Sequence, residues 1–154
     1  MEKSHDSTPD TLAHIGRVKQ LANQAVNKFN DQVENHDKSK LSSQEKDLFD
    51  EYTPKLKNCV YGSPEYKQFL VDLKPALDHH YANNRHHPEH HANGINDMDL
   101  LDLLEMLVDW KASSERNKDG DIFKSLQINK DRFGMSDQLL GVLENTAKRL
   151  FKND

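Results

Sequence analysis

An all-α fold is predicted by three observations. Apolar residues recur at spacings of three and four in nearly every segment, no run alternates as a strand does, and helix starters and stoppers stand at the segment ends. The pattern is that of a compact single-domain bundle of about six to seven helices, with residues 1–8 as a flexible N-terminus and 9–151 as one helical domain. At 154 residues the chain can bury a core without disulfide staples, and its single cysteine, Cys59, has no partner within it.

Thr8 is read as the cap of the first helix, with Pro9 at its first position. Ile15, Val18, Leu21, Ala22, Ala25, Val26 and Phe29 then form one apolar stripe, and His14 falls inside it, which predicts an imidazole turned to the core. A short second helix carries Val33 and ends at His36-Asp37-Lys38-Ser39-Lys40. Ser42 and Glu45 have the spacing of a capping box for the third, which buries Leu48, Phe49, Tyr52 and Leu56 and is bent or ended by Pro54.

Tyr61-Gly62 makes a turn, and Ser63 and Pro64 open the fourth helix. Its apolar face runs from Tyr66 through Phe69, Leu73 and Leu77 to Tyr81, with a kink expected at Pro75. His80 stands on that face and His79 projects to the other side. Residues 82–95 read as a polar loop. Asn96 is the expected cap of the fifth helix, Asp97 to about Arg116, whose leucines cover most of its circumference and assign it to the centre. Its one polar stripe is Asp102, Glu105, Asp109 and Ser113. Asp119-Gly120 turns the chain into a sixth helix, and Ser136 caps a seventh that closes the core.

Composition excludes several classes of function. The formal charge is −5, with lysines scattered among carboxylates, so no basic stripe exists to neutralise a polymeric nucleic acid. No apolar run reaches the roughly 20 residues that span a bilayer, and the mean hydropathy is −0.94. The polar start Met-Glu-Lys-Ser-His-Asp has no signal-peptide core, so a cytoplasmic protein is expected.

Histidine density is the chemical signal. Six of the nine histidines lie between His79 and His91, and imidazole is the commonest protein ligand for divalent transition metals. Catalytic metal sites combine neutral histidines with carboxylates. His14, His36, Asp37, His80 and Asp109, each on an inward face or at a helix end, are therefore candidate ligands, joined by His86 or His87. Glu105 and Asp102 are candidate acceptors behind the ligating imidazoles, or simple helix-surface carboxylates. Arg85 and Lys40 suit a phosphate, one as a planar fork and one as a point charge. His79, His90 and His91 are expected at the surface or behind the ligands, and His5 in a frayed terminus.

The order His14, His36-Asp37, Asp109 resembles the signature of the HD-domain superfamily of metal-dependent phosphohydrolases. His36-Asp37-Lys38-Ser39-Lys40 is similar to its His-Asp-x-x-Lys segment, and Val108-Asp109-Trp110-Lys111-Ala112 to its closing helix. Two-metal members of that superfamily add histidines where His80, His86 and His87 stand. Arg85-His86-His87-Pro88-Glu89 also resembles the paired-histidine segment of the branch that degrades cyclic dinucleotides, but Gly94-Ile95-Asn96 replaces its Gly-Tyr-Pro, so that substrate is not carried over. As a whole the chain resembles a small family of HD-like proteins found in bacteria and their viruses.

The resemblance implies hydrolysis of a small phosphate ester, a nucleotide above all. One or two divalent ions (Mn, Fe, Co or Zn, with Mg possible) would be held by His14, His36, Asp37, His80, His86, His87 and Asp109. Asp37 would bridge two ions, while Lys40 and Arg85 would stabilise the phosphoryl oxygens. Two other readings remain open: an HD-fold di-iron oxygenase, and a metal- or nucleotide-binding regulatory protein without turnover. Substrate, metal and oligomeric state, a homo-oligomer included, are not legible.

Overall fold

The computed structural model describes residues 5–60, 63–116 and 119–151. Six α-helices and no strand lie among these residues: α1 (Thr8–Val33), α2 (Lys46–Asn58), α3 (Pro64–Asn83), α4 (Leu100–Ser114), α5 (Ile122–Phe133) and α6 (Asp137–Phe151). Three short 3-10 segments, Lys38–Leu41, Pro88–His90 and Gly94–Asp97, join them. The all-α expectation holds. No helix among the described residues is long and apolar enough to cross a membrane.

The chain divides between His36 and Asp37 into two compact units, where one domain over 9–151 was expected. The first is built on α1, which takes in Val33 and so replaces both the first and the short second helix of the sequence reading. Ser7 precedes it without a side-chain cap, and none of its residues is buried, His14 and the apolar stripe included.

The second unit holds the core. Met106 and Leu107 of α4, Ile122 and Leu126 of α5 and Leu140, Leu143 and Ala147 of α6 pack together with Ile95 and Met135. Each of these side chains larger than alanine contributes on the order of 1.5–3 kcal/mol by leaving water. Trp110 stacks on Phe133, with ring centroids 6.1 Å apart, which ties α4 to the end of α5. α2 packs on α3, α4 on α5 and α5 on α6.

Local chemistry sets the helix ends. Ser63 Oγ accepts from the Tyr66 N–H at 3.1 Å, as expected. Ser136 Oγ accepts from the Leu139 N–H at 3.2 Å, again as expected. α4 is capped three residues later than Asn96: Asp99 accepts from the Leu101 and Asp102 N–H groups, and Asp102 accepts from the Asp99 N–H, a reciprocal capping box. α5 stops at Gly134, whose φ of +64° is a left-handed conformation that glycine adopts at little cost. α2 and α3 run on past Pro54 and Pro75, so neither proline ends its helix. The turn assigned to Tyr61-Gly62 lies outside the described residues.

Candidate metal centre

Asp37 opens the second unit in an unusual backbone state. Its φ is +54°, the only positive value among the described non-glycine residues. Aspartate tolerates this region better than most residues, and strained φ/ψ values concentrate at functional sites. The following 3-10 turn brings Lys40 back onto Asp37: Nζ donates to Oδ2 at 2.6 Å, while the ammonium lies 5.4 Å from the centre of the Phe49 ring. One carboxylate oxygen is thereby held by a cation. The other, Oδ1, lies 3.2 Å from His80 Nε2 and 3.5 Å from His86 Nε2.

His80 reaches this point from the last turn of α3, almost fully buried. Behind it stands Glu45, at 0% exposure, whose Oε2 is 3.0 Å from His80 Nδ1. The other Glu45 oxygen lies 2.6 Å from Nδ1 of the partly exposed His79. Asn84 locks the same corner by donating to Ser39 Oγ and to the His80 carbonyl, both at 2.7 Å. A neutral His80 that donates from Nδ1 presents the lone pair of Nε2 to Asp37.

His86 and His87 follow the end of α3 directly. His86 is buried, with Nδ1 3.2 Å from Oε1 of the buried Glu105. The arrangement matches that at His80: a buried carboxylate behind Nδ1 and Nε2 turned inward. His87 Nε2 lies 3.0 Å from His80 Nε2. Burial, reinforced by the neighbouring His86 and His80, lowers the His87 pKa from the usual imidazole value to about 3, so its ring is neutral at physiological pH.

The donor set fits a divalent transition metal. One ring nitrogen each from His80, His86 and His87 and a carboxylate oxygen of Asp37 all lie within 4.8 Å of one another. Ligands about 2.0–2.1 Å from a tetrahedral ion stand roughly 3.3 Å apart, and the separations of 3.0, 3.2 and 3.5 Å bracket that value. Two imidazole lone pairs 3.0 Å apart repel unless a proton or cation lies between them. Carboxylates behind ligating histidines are the usual means of fixing tautomer and raising ligand basicity. One side of the cluster faces solvent, because Asp37 and Asp109 keep 22% and 19% side-chain exposure while His80 and His86 keep 2%.

Comparison with known proteins gives one result: residues 3–149 match a family of unknown function, DUF5662. The chain belongs to that family. No curated protein and no solved structure matches the chain. The arrangement of the site in this DUF5662 protein therefore rests on its own geometry.

The sequence-predicted residues divide into three groups. Asp37, His80, His86 and His87 converge, and both His86 and His87 take part, where one was required. Asp109 stands just outside: its Oδ2 is 4.0 Å from His86 Nε2, too far to share a close-packed ligand shell. His36 is half-buried at the end of the first unit, where its N–H donates to the Val33 carbonyl at 2.9 Å. His14 is a correction. It is exposed, and the rise of 1.5 Å per residue puts it about 29 Å along the helix axis from Val33, so it cannot ligate alongside residues at that end of its unit.

The predicted cations are already engaged. Arg85 forks onto the fully buried Asp102, with Nε donating to Oδ1 at 3.1 Å and Nη2 to Oδ2 at 2.9 Å, and this pairing raises its pKa. To bind a phosphate it would have to leave a bidentate pair. Lys40 holds Asp37 Oδ2, which takes from that carboxylate the free oxygen needed to bridge two ions. His90 and His91 fasten the loop, facing the Tyr81 and Arg85 carbonyls at 2.8 and 2.9 Å.

Glu45 is the residue that sequence reasoning misplaced. Its spacing from Ser42 suggested a capping box, yet no such side-chain cap forms, and the carboxylate turns into the histidine cluster instead. Asn84 carried no signal beyond lying in a polar segment.

Proposed function

We propose that this chain is a metal-dependent phosphohydrolase that acts on a small phosphate ester, a nucleotide in the first instance, at a mononuclear centre formed by Asp37, His80, His86 and His87. One observation carries the metal: three imidazole nitrogens and a carboxylate oxygen converge, with buried Glu45 and Glu105 behind two of the rings. The reaction class comes from the resemblance of His36-Asp37 and Asp109 to the HD-domain landmarks. When bound, a divalent ion supplies Lewis acidity toward phosphoryl oxygens and makes a water molecule acidic near neutral pH.

The residues have separate roles in this reading. Lys40 orients Asp37 so that Oδ1 faces the imidazoles. Glu45 and Glu105 hold His80 and His86 by Nδ1. Asp109, partly exposed and 4.0 Å from His86 Nε2, is positioned to accept the proton of an attacking water at Oδ2. Arg85 anchors the histidine loop to α4 rather than meeting substrate in this state.

Elemental analysis of untagged protein, followed by a screen of phosphate esters against Mn, Fe, Co, Zn and Mg, tests the proposal. About one ion per chain is expected, lost in His87→Ala, with hydrolysis that Asp109→Asn suppresses while metal content stays. Absence of metal overturns the centre; metal without hydrolysis of any ester overturns the enzyme. A second reading, a metal-binding module without turnover, is favoured by the donor set itself, since four protein ligands complete a tetrahedral shell. The di-iron alternative fits less well, because Lys40 occupies the oxygen that would bridge.

A further inference from the structure

Catalytic zinc-type sites keep three protein ligands and leave a further position to water or substrate, whereas sites closed by four protein ligands are structural. Asp37, His80, His86 and His87 together supply four donors, one more than a reacting site uses. A phosphate group enters such a shell either as a fifth donor or in place of one of the four. How firmly each side chain is held separates these cases.

Three of the four are held from behind. Lys40 donates to Asp37 Oδ2 at 2.6 Å. The buried Glu45 stands 3.0 Å from Nδ1 of His80, whose ring also packs edge-on against Phe49. The buried Glu105 stands 3.2 Å from Nδ1 of His86. Carboxylates so placed fix the ring and strengthen it as a donor. His87 lacks that support. Among the described residues its side chain has one hydrogen-bonding neighbour, His80 Nε2 at 3.0 Å, and that neighbour is another cluster nitrogen rather than an anchor. It is half-buried where His80 and His86 are buried, and its backbone N–H reaches the Asn84 carbonyl at a long 3.3 Å.

Its place in the chain sharpens the difference. Consecutive side chains diverge in helices and strands alike, yet the ring centroids of His86 and His87 lie 4.1 Å apart. Glu105 keeps the first ring there, and nothing comparable keeps the second.

We infer that His87 is the exchangeable member of the cluster: its ring leaves when a phosphate group arrives, and a phosphoryl oxygen takes its place beside Asp37, His80 and His86. The inference rests on the metal-dependent reading of this site and adds to it how a filled shell admits substrate. The exchange is donor for donor, so it moves no electron and breaks no covalent bond. His87→Ala differs in removing a donor with nothing to replace it, which is why that variant is expected to lose the ion. Tyr81, whose ring centroid lies 5.1 Å from that of His87, borders the released imidazole.

NMR of the full chain, carrying nitrogen-labelled histidine and loaded with zinc, reads each ring separately, because a coordinated imidazole nitrogen resonates apart from a free one. Inorganic phosphate is the probe. The His87 signal alone should move to the free-imidazole position as phosphate is added, while those of His80 and His86 stay and zinc content is unchanged. Release of His80 or His86 instead, three coordinated rings at saturating phosphate, or the same release by sodium chloride at equal ionic strength overturns the inference. Cobalt in place of zinc gives a second measurement. Visible bands that shift on phosphate addition but keep four-coordinate intensity are expected; weakening to the five-coordinate level would mean that phosphate adds without displacing His87, which also overturns it. No variant has to fold for these readouts. The two readings fail separately: a protein that releases His87 to phosphate yet hydrolyses no ester keeps this inference and loses the hydrolase, and one that hydrolyses esters with His87 bound throughout does the reverse.

Discussion

A buried carboxylate behind an imidazole is costly unless it does something for the ring it touches. Glu45 is fully buried and within hydrogen-bonding distance of both His79 and His80, and an unpaired carboxylate in such a place would cost several kcal/mol. Glu45→Gln keeps the shape but weakens the acceptor, and is expected to lower metal affinity about 10–100-fold; competition with a chromophoric chelator measures this, and an unchanged affinity would leave Glu45 a packing residue. His87 sets a pH dependence. Its pKa is about 3 in the fold against 6.5 when free. Between those values the unfolded chain binds a proton that the folded chain refuses, so folding stability falls as pH drops from 6.5 toward 3. Denaturant midpoints of the metal-free protein should decline across that window, and His87→Gln should flatten the part due to this residue.

At the scale of elements, α4 departs from the ordinary rule for an amphipathic helix, since it buries two carboxylates alongside Met106 and Leu107. Asp102 and Glu105 are almost wholly buried, while Leu100 is 78% exposed. The acidic line and its period were visible in the sequence, and the five leucines and Val108 around it assigned the helix to the centre with its carboxylates inside, but the groups that those carboxylates meet were not legible. Asp102 is matched by the Arg85 fork and by the capping box at Asp99. Asp99→Ala should therefore cost about 1 kcal/mol, the usual value for losing an N-cap, read as a lower thermal midpoint. A cost near zero would show that Arg85 and the remaining Asp102 contacts hold the helix start unaided. Helix α2 teaches the opposite lesson. Its Ser42-x-x-Glu45 pattern has the right spacing for a cap, yet two imidazoles within 3.0 Å outbid one backbone N–H for the carboxylate.

At the scale of the whole molecule, the candidate metal centre lies within the second unit and joins the 3-10 turn at Asp37, the start of α2, the end of α3, the histidine loop and α4. An ion that binds only the folded state adds RT ln(1 + [L]/Kd), about 2.7 kcal/mol at a hundredfold excess over Kd. Stripping with a chelator should lower the thermal midpoint by several degrees, and restoring Zn or Co should recover it; a midpoint indifferent to metal would mean that the cluster is held by its own hydrogen bonds. Helix α1 stands in a unit by itself, and no residue of the stripe that the sequence assigned to the core is buried, although Phe29 is half-buried.

What the sequence by itself determined was local. Helical periods placed most of the elements, Ser63 and Ser136 marked two helix starts, and histidine density between His79 and His91 pointed to the right stretch of chain. Tertiary structure decided which groups meet. It admitted both His86 and His87, set Asp109 at the margin, kept His14 exposed on α1, committed Arg85 to Asp102, and turned Glu45 from a presumed cap into the partner of His80. The reason is physical: periodicity and capping depend on neighbours within a few residues, whereas a ligand set depends on distances between side chains tens of residues apart, and those are fixed only when the helices pack.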